Sequence, residues 1–299
     1  MQRGPNPGRA VHRSRVPGRP LAAAGVVTGA WVDDVCALAR RAGEAIMAVY
    51  ATDFEIAQKD DASPLTRADL AAHEILVSGL AALPPGLPVL SEESASTVPA
   101  VERRHWRRYW LVDPLDGTRE FIKRNDEFTV NIALVEDGVP VVGVVFAPAL
   151  DEMAWACSGQ GAWHVHAGRR QRLAGRPAPA TPVVAVSRSH LDAHTARLLA
   201  GMGAHETLAA GSALKFIRMA QGRADLYPRL GPTSEWDTAA GHCLLTETGG
   251  EVFALDGRPL RYNRRAGLLN PSFLAVADSC VDWPARLAGL LPPALEPSP

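Results

Sequence analysis

Lysine is nearly missing from this sequence. Its 299 residues hold three lysines, Lys59, Lys123 and Lys215, against 28 arginines. Such a bias resembles a GC-rich coding background, so a lysine that persists against it points to chemical need. Cysteine is scarce too: Cys36, Cys157, Cys243 and Cys280 stand far apart, with no metal-knuckle or C-x-x-C spacing. They read as reduced thiols of a cytosolic protein rather than as disulfides. No apolar run approaches the roughly 18 residues of a membrane span. Neither sign of charge is in excess, the net being −1. That excludes a global pull toward nucleic-acid polymers or anionic membranes, and any attraction for an anionic substrate must be local. Peripheral contact with the inner face of the cell membrane is left open.

Hydrophobic and charged contents of 47% and 21% fit a soluble globular protein of one or two domains. Residues 1–28 carry five arginines and no acid; Leu21 to Val27 is a thin candidate for a signal h-region, and the stretch reads rather as a disordered basic tail or an over-extended start of the reading frame. Helical spacing follows, with Val32, Val35, Ala39, Ala42, Ile46 and Val49 on one face. Thr52 to Pro64 is a polar loop, and Thr66 opens a second helix that runs to about Leu80. Pro88 to Leu90 is a short strand. Thr129 to Val135 and Val139 to Ala147 are strands joined by Glu136-Asp137-Gly138, a hairpin signal. Met153 to Cys157, Ala162 to His166 and Arg170 to Leu173 extend an antiparallel meander. Beyond a Pro/Ala/Gly-rich linker at 174–182, strands (Val183 to Ser187, Ala224 to Tyr227, Glu251 to Leu255, Phe273 to Ala277) alternate with helices (Leu191 to Met202, Ser212 to Gln221, Asp237 to Thr248, and a short one near Trp283). The expected architecture is α+β in residues 29–180, with an antiparallel sheet, and α/β in 181–299, with a second, mixed sheet. No internal repeat is present.

The chain is organised around Trp110-Leu-Val-Asp113-Pro-Leu-Asp116-Gly117-Thr118. An apolar strand ends in two carboxylates three residues apart, with a proline to stiffen the turn between them. Asp113 and Asp116 can converge on one point, with the Leu115 carbonyl between them. Hard divalent ions take such oxygen sets, and Mg²⁺ combines one or two carboxylates with waters and a substrate phosphate. A helix starting at Gly117-Thr118 would place an anion site beside the metal. An ordinary Asp-Gly turn explains the hexapeptide equally well. Glu92 and Glu93 also stand at the end of a short strand. Asp237, in Trp236-Asp-Thr-Ala-Ala-Gly241, fits a helix N-cap whose bare first turn admits close approach of a neighbour. Asp69 completes the capping-box pattern Thr66-x-x-Asp69. Taken singly, each has a structural explanation.

Together, Thr66-Arg-Ala-Asp69, Glu92-Glu93, Asp113-Pro-Leu-Asp116-Gly-Thr118 and Trp236-Asp237-x-Ala-Ala-Gly241 resemble the inositol monophosphatase superfamily of metal-dependent, lithium-sensitive phosphatases, over residues 31–277. Within it the chain is most similar to bacterial 3′(2′),5′-bisphosphate nucleotidases of the CysQ type. The residues carrying this are Pro88-Val-Leu-Ser-Glu-Glu93, the run Tyr109 to Val135, Ser187-Arg-Ser-His190, Gly211-Ser-Ala-Leu-Lys-Phe216 and Leu226-Tyr-Pro-Arg-Leu-Gly-Pro232. The resemblance implies a layered αβαβα sandwich. It implies hydrolysis of adenosine 3′,5′-bisphosphate to AMP and phosphate in the cytoplasm, in recycling a by-product of sulfate assimilation, by a monomer or homodimer. It also implies two Mg²⁺ ions, with a third conceivable at the Lys59–Asp61 loop. Glu92, Asp113 and the Leu115 carbonyl would hold one ion, and Asp113, Asp116 and Asp237 the second. Asp69 and Thr118 would orient and deprotonate the attacking water, and Gly117 and Thr118 would receive the scissile phosphate.

A bisphosphate also needs a cation for the phosphate that is not cleaved. Arg229 and Lys215 are the candidates, since inositol-preferring relatives typically carry an acid at the position of Arg229, where arginine can clamp a phosphate bidentately. His190 and Ser212 match positions that touch the nucleotide in related eukaryotic enzymes; by themselves they read as a surface histidine and a helix N-cap. An inositol or sugar phosphate phosphatase is the alternative within the fold. A catalytically silent ligand-binding relative is the alternative outside enzymes, although no motif carboxylate is missing. Two residues depart from the pattern, Ser91 where many members have Gly and Thr248 where Ala is usual.

Overall fold

A computed structural model describes residues 29–54, 56–58, 64–189 and 191–292. Helix α1 (Gly29–Tyr50) is followed by two three-residue strands, β1 (Ile56–Gln58) and β2 (Pro64–Thr66), then α2 (Arg67–Ala82) and β3 (Val89–Ser91). A 3₁₀ turn (Glu92–Thr97) and a short helix, α3 (Ala100–Arg103), lead to β4 (Arg108–Asp116) and α4 (Thr118–Ile122). The meander is β5 (Thr129–Glu136), β6 (Val139–Ala147), β7 (Glu152–Cys157), β8 (Gly161–His166) and β9 (Arg169–Leu173). The remainder is β10 (Val183–Ser187), α5 (Ala193–Gly201), β11 (Glu206–Ala210), α6 (Leu214–Ala220), β12 (Leu226–Arg229), α7 (Glu235–Glu247), β13 (Glu251–Ala254), β14 (Phe273–Val276) and α8 (Trp283–Arg286).

Strands β3 to β9 lie in sequence order in one sheet, and a second sheet has the order β11-β10-β12-β14-β13. Five layers result. The stripe of α1 and Ala72, Leu76 and Leu80 of α2 pack on Trp110, Val112, Ile132 and Leu134. The alternate residues of the same strands, Tyr109, Leu111, Ala133 and Val135, face α6 and α7, whose other side meets Ala185, Tyr227 and Ala275 of the second sheet. Val184, Leu226 and Leu274 turn to the far face, against Leu198 of α5 and Trp283 of α8. A strand's period of two thus feeds two cores from each sheet. This is the expected αβαβα sandwich, with a mixed second sheet: β10 pairs in parallel with β11 and β12, and β14 antiparallel with β12 and β13.

Three details differ from the sequence reading. Strand β11 and the pairing of β1 with β2 were not foreseen, the latter inside what reads as a polar loop. Edge strand β3 runs parallel to β4, with Ser91 beside Val112, within a sheet expected to be antiparallel throughout. That exception has a consequence, because Glu92, just past the end of β3, then lies beside Asp113 of β4. The small residues early in α7 admit the expected close neighbour: a Cβ on Gly241 would fall 2.2 Å from Phe216 of α6.

Candidate active site

The Asp113–Asp116 spacing is odd, and in a regular strand it would put the two carboxylates on opposite faces. The strand does not end in a turn at Asp113, as expected from Pro114, but continues through a bulge. Asp113 pairs with Asn131 and Asp116 with Thr129, so Pro114 and Leu115 stand opposite Val130 alone. The extra residue restores parity and turns both carboxylates to one side. Asp113 is buried and accepts the Leu115 N–H at 3.0 Å. Asp116 is held from β5, where Asn131 donates to its Oδ2 at 3.1 Å and the Thr129 hydroxyl lies at 3.5 Å. Gly117 then takes φ +89°, and a Cβ there would meet the Ser212 hydroxyl at 2.1 Å.

Asp69 and Asp237 are set in place by one device used twice; Asp237 lines the cleft, whereas buried Asp69 lines neither lobe and meets it through Thr118. Each is the third residue of a helix, in Thr66-x-x-Asp69 and Ser234-x-x-Asp237. Asp237 is therefore not the N-cap; α7 begins two residues earlier than expected. In each case Oδ2 reaches back to the cap N–H, of Thr66 at 2.7 Å and of Ser234 at 2.9 Å. Oδ2 of Asp69 also accepts the Thr66 hydroxyl at 2.7 Å, and that of Asp237 the Thr233 hydroxyl at 2.8 Å. The other oxygen of Asp69 is left for the Thr118 hydroxyl at 3.2 Å, which has the Leu115 carbonyl at 3.3 Å as its second acceptor.

Asp113, Asp116 and Asp237 bring one oxygen each to within 4.8 Å of one another. Burial pushes the Asp113 carboxyl well above its ordinary range, and the charges of Glu92, Asp116 and Asp237 add to this; Glu92 lies at hydrogen-bond range. Burial and then Asp237 lift Asp116 to about 7, against the opposing pull of Lys215 and Asn131. Burial and then Glu92 raise Asp237. Asp113 is buried and Asp116 and Asp237 are half-buried, and like charges at this separation in such a setting cost free energy unless protons or a cation neutralise them. The donors are all oxygen, which suits a hard divalent cation better than a soft one.

The cleft has two lobes. A lobe of about 360 Å³ is lined by Glu92, Asp113, Leu115, Asp116, Thr118 and Asp237. A larger lobe of about 720 Å³ shares Asp116, Gly117 and Asp237 with it and adds Ser212, Lys215, Tyr227 and Arg229. Lys215 is buried, donating to the carbonyls of Ser212 at 2.7 Å and Ala210 at 3.2 Å, and lies 5.3 Å from the Tyr227 ring. Burial lowers it to about 8, with Asp116 opposing. Arg229 donates to the Pro232 carbonyl at 2.5 Å, and its Nε is buried without a partner. Ser212 is not a helix cap, since α6 starts at Leu214. At φ +44° its hydroxyl has the carbonyls of Asp116 and Glu127 as acceptors, each at 2.8 Å, and so ties α6 to the metal-side loop. His190 and the Lys59–Asp61 stretch lie outside the described residues. Sequence reasoning missed Thr129, Asn131, Thr233, Arg119 and Glu120, the last three lining both lobes. Asn131, a polar residue inside the apolar run Val130 to Leu134, was the available signal.

The chain belongs to the inositol monophosphatase family, whose description matches residues 31–281. Members of that family are metal-dependent, and the three-aspartate cluster could hold a metal ion. It is 53% identical over 245 residues to the 3′(2′),5′-bisphosphate nucleotidase CysQ of Salmonella typhimurium, covering 81% of this chain and 98% of that protein. Identity to the Escherichia coli K12 protein of the same name is 51%, with the same coverage. Among solved structures, CysQ from Bacteroides thetaiotaomicron superposes with a TM-score of 0.76 at 40% identity, over 84% of this chain and 98% of that one. No described helix is long and apolar enough to cross a membrane.

Proposed function

We infer that this chain is a Mg²⁺-dependent phosphatase that removes the 3′-phosphate of adenosine 3′,5′-bisphosphate, releasing AMP and phosphate. The observation that carries this reading is the two-lobed cleft, with clustered carboxylates in one lobe and Lys215 and Arg229 in the next. A substrate with two phosphates fits that division of charge, and the names of the relatives support it. In this reading Glu92, Asp113 and the Leu115 carbonyl would hold one Mg²⁺, and Asp113, Asp116 and Asp237 would hold the other. Such ions, when bound, stabilise charge on the reacting phosphoryl oxygens and acidify water.

The chain's own groups do the rest. The Thr118 hydroxyl, donating to Asp69 Oδ1 at 3.2 Å, can accept a proton from the attacking water as it passes its own to the carboxylate. Oδ2 of Asp69, fixed by Thr66, keeps that carboxylate aimed. Gly117 and Thr118 form the floor under the phosphate that is cleaved. Lys215 and Arg229 hold the phosphate that stays, and a bound dianion would draw Lys215 further toward its charged form. Ser212 and His190 are assigned to the nucleoside. The boundary near residue 180 belongs to the same reading: residues 29–180 supply the water-activating pair and the first metal ligands, and 181–299 supply Asp237 and the specificity cations. We place the enzyme in the cytoplasm and expect inhibition by Li⁺. Arginine at position 229 argues against an inositol phosphatase, and the complete set of carboxylates argues against a silent binding protein.

Phosphate release from adenosine 3′,5′-bisphosphate, inositol 1-phosphate and fructose 1,6-bisphosphate, with and without Mg²⁺ and Li⁺, tests this. The nucleotide should turn over fastest, only with Mg²⁺, and less with Li⁺. Faster turnover of inositol 1-phosphate would overturn the nucleotidase assignment.

A further inference from the structure

The carboxylates come from both halves of the chain and repel one another, so Asp237 must be held against Asp113 and Glu92. We propose that Arg103, Asn263 and Glu235 form a buried relay that positions Asp237 relative to the N-terminal half, although none of the three lines the cleft. The inference rests on the metal reading of Asp113, Asp116 and Asp237.

Arg103 ends α3, in the segment that follows Glu92, and is 2% exposed. Its guanidinium donates to Asn263 Oδ1 at 2.6 Å, to the Arg265 carbonyl at 3.3 Å and to the Ala266 carbonyl. Asn263 answers with its side-chain amide, which donates to the Arg103 carbonyl at 2.5 Å. The Asn263 N–H then donates to Glu235 Oε2 at 2.7 Å. Glu235, 0% exposed, is the first residue of α7, two before Asp237.

The rest of this loop is stitched to the same helix start. The Glu235 N–H donates to the Leu268 carbonyl, and the Asn270 N–H to that of Thr233, both at 2.8 Å. The Asn270 amide donates to the Ser234 carbonyl at 2.8 Å and to the Thr238 hydroxyl at 3.0 Å. Residues 263–270 thus brace the turn that presents Asp237, and Arg103 anchors the brace to the other half. A plain structural contact would be cheaper in apolar residues, because a buried guanidinium and a buried carboxylate each carry a large desolvation cost. What a bonded polar network adds is one defined arrangement. Groups that hydrogen-bond a metal ligand directly typically change metal affinity about 10- to 100-fold when removed; the relay acts one step further out, through the helix start whose Thr233 and Ser234 hold Asp237.

The test is calorimetric binding of Mg²⁺ to the metal-free protein, beside its melting temperature. Asn263 has φ +55°, so Asn263→Gly deletes the side chain without backbone strain. Glu235→Ala removes the other leg, while Glu235→Gln keeps an oxygen for the Asn263 N–H. Arg176→Ala breaks the ion pair with buried Asp225, which does not line the cleft, and controls for stability loss alone. Asn263→Gly and Glu235→Ala should weaken Mg²⁺ binding about tenfold, the low end of the range for direct partners of a ligand. Glu235→Gln should stay near wild type, and Arg176→Ala should melt earlier with unchanged affinity. Wild-type affinity in Asn263→Gly and Glu235→Ala, whatever their melting temperatures, would overturn the relay. Should Glu235→Ala fail to fold, Asn263→Gly decides by itself. A wild-type protein that binds no divalent ion would overturn the metal reading and the relay with it.

Discussion

Removing divalent metal and scanning pH probes the carboxylate cluster before any substrate is added. Burial and the charge of Asp237 hold Asp116 at about 7, and Asp113 and Asp237 are raised as well. A carboxyl whose pKa is higher folded than unfolded binds more protons in the folded state. Its contribution to metal-free stability is therefore full below about pH 4, falls as pH rises and is lost above about pH 7. Metal binding has the opposite dependence, because a cation takes ionised ligands and must displace their protons. The stabilisation conferred by Mg²⁺, the melting temperature with Mg²⁺ minus that with EDTA at the same pH, should accordingly grow from pH 5.5 to 8. At pH 5.5 Asp116 lies about a pH unit and a half below its pKa, which withholds about 2 kcal/mol of binding free energy. At 2–4 °C per kcal/mol for a chain of this size, the difference is about 4–8 °C. Asp116 keeps some contact with solvent, so the lower end of that span is expected. Taking the difference cancels groups that metal does not touch, such as His242, which burial pushes down to about 3. A Mg²⁺-dependent shift that is equal at pH 5.5 and 8 would refute the clustered-carboxylate account.

Three substitutions test the assigned roles. Arg229→Glu should lower kcat/KM for adenosine 3′,5′-bisphosphate about 100-fold, the loss of a charge-assisted pair of about 2–3 kcal/mol, and harm a nucleoside monophosphate far less; equal losses on both would remove Arg229 from specificity. Asp69→Asn retains an oxygen for the Thr66 cap but cannot accept a proton, so kcat should fall about 10²- to 10⁴-fold with Mg²⁺ affinity unchanged; a full-rate variant would place proton transfer elsewhere. Gly117→Ala forces a Cβ onto the Ser212 hydroxyl at φ +89° and should cost about 2 kcal/mol or more in urea unfolding; an unchanged midpoint would contradict the close approach of the two halves there.

Much of the fold was legible because local chemistry and tertiary packing agree. The α1 stripe is buried from Val32 to Ile46 as its spacing requires, with Val49 half-buried, and Glu136-Asp137-Gly138 closes the β5–β6 hairpin with positive φ at Asp137 and Gly138. The clustered carboxylates Asp113, Asp116 and Asp237 were legible too; Asp69 fills its expected capping box with one oxygen and meets Thr118 with the other, whereas Asp237 sits at the third helical position rather than at the N-cap. Other features were hidden because they depend on pairing across the chain. The bulge that turns Asp113 and Asp116 to one face exists only against Asn131 and Thr129 of β5. Strand β11 is mostly exposed or half-buried, so Glu206 to Ala210 lacks the apolar signal that marks its neighbour β10. Nothing local to Asn263 or Arg103 announces a contact 160 residues away in the chain.

The central claim concerns which phosphate leaves. It is tested most directly by identifying the nucleotide product formed from adenosine 3′,5′-bisphosphate by the Mg²⁺-loaded protein, using ion-exchange chromatography against authentic standards. The proposed placement of the cleaved phosphate at the carboxylates, with the other at Lys215 and Arg229, predicts adenosine 5′-monophosphate and one equivalent of inorganic phosphate. Adenosine 3′-monophosphate as the product, or an unchanged bisphosphate, would contradict it.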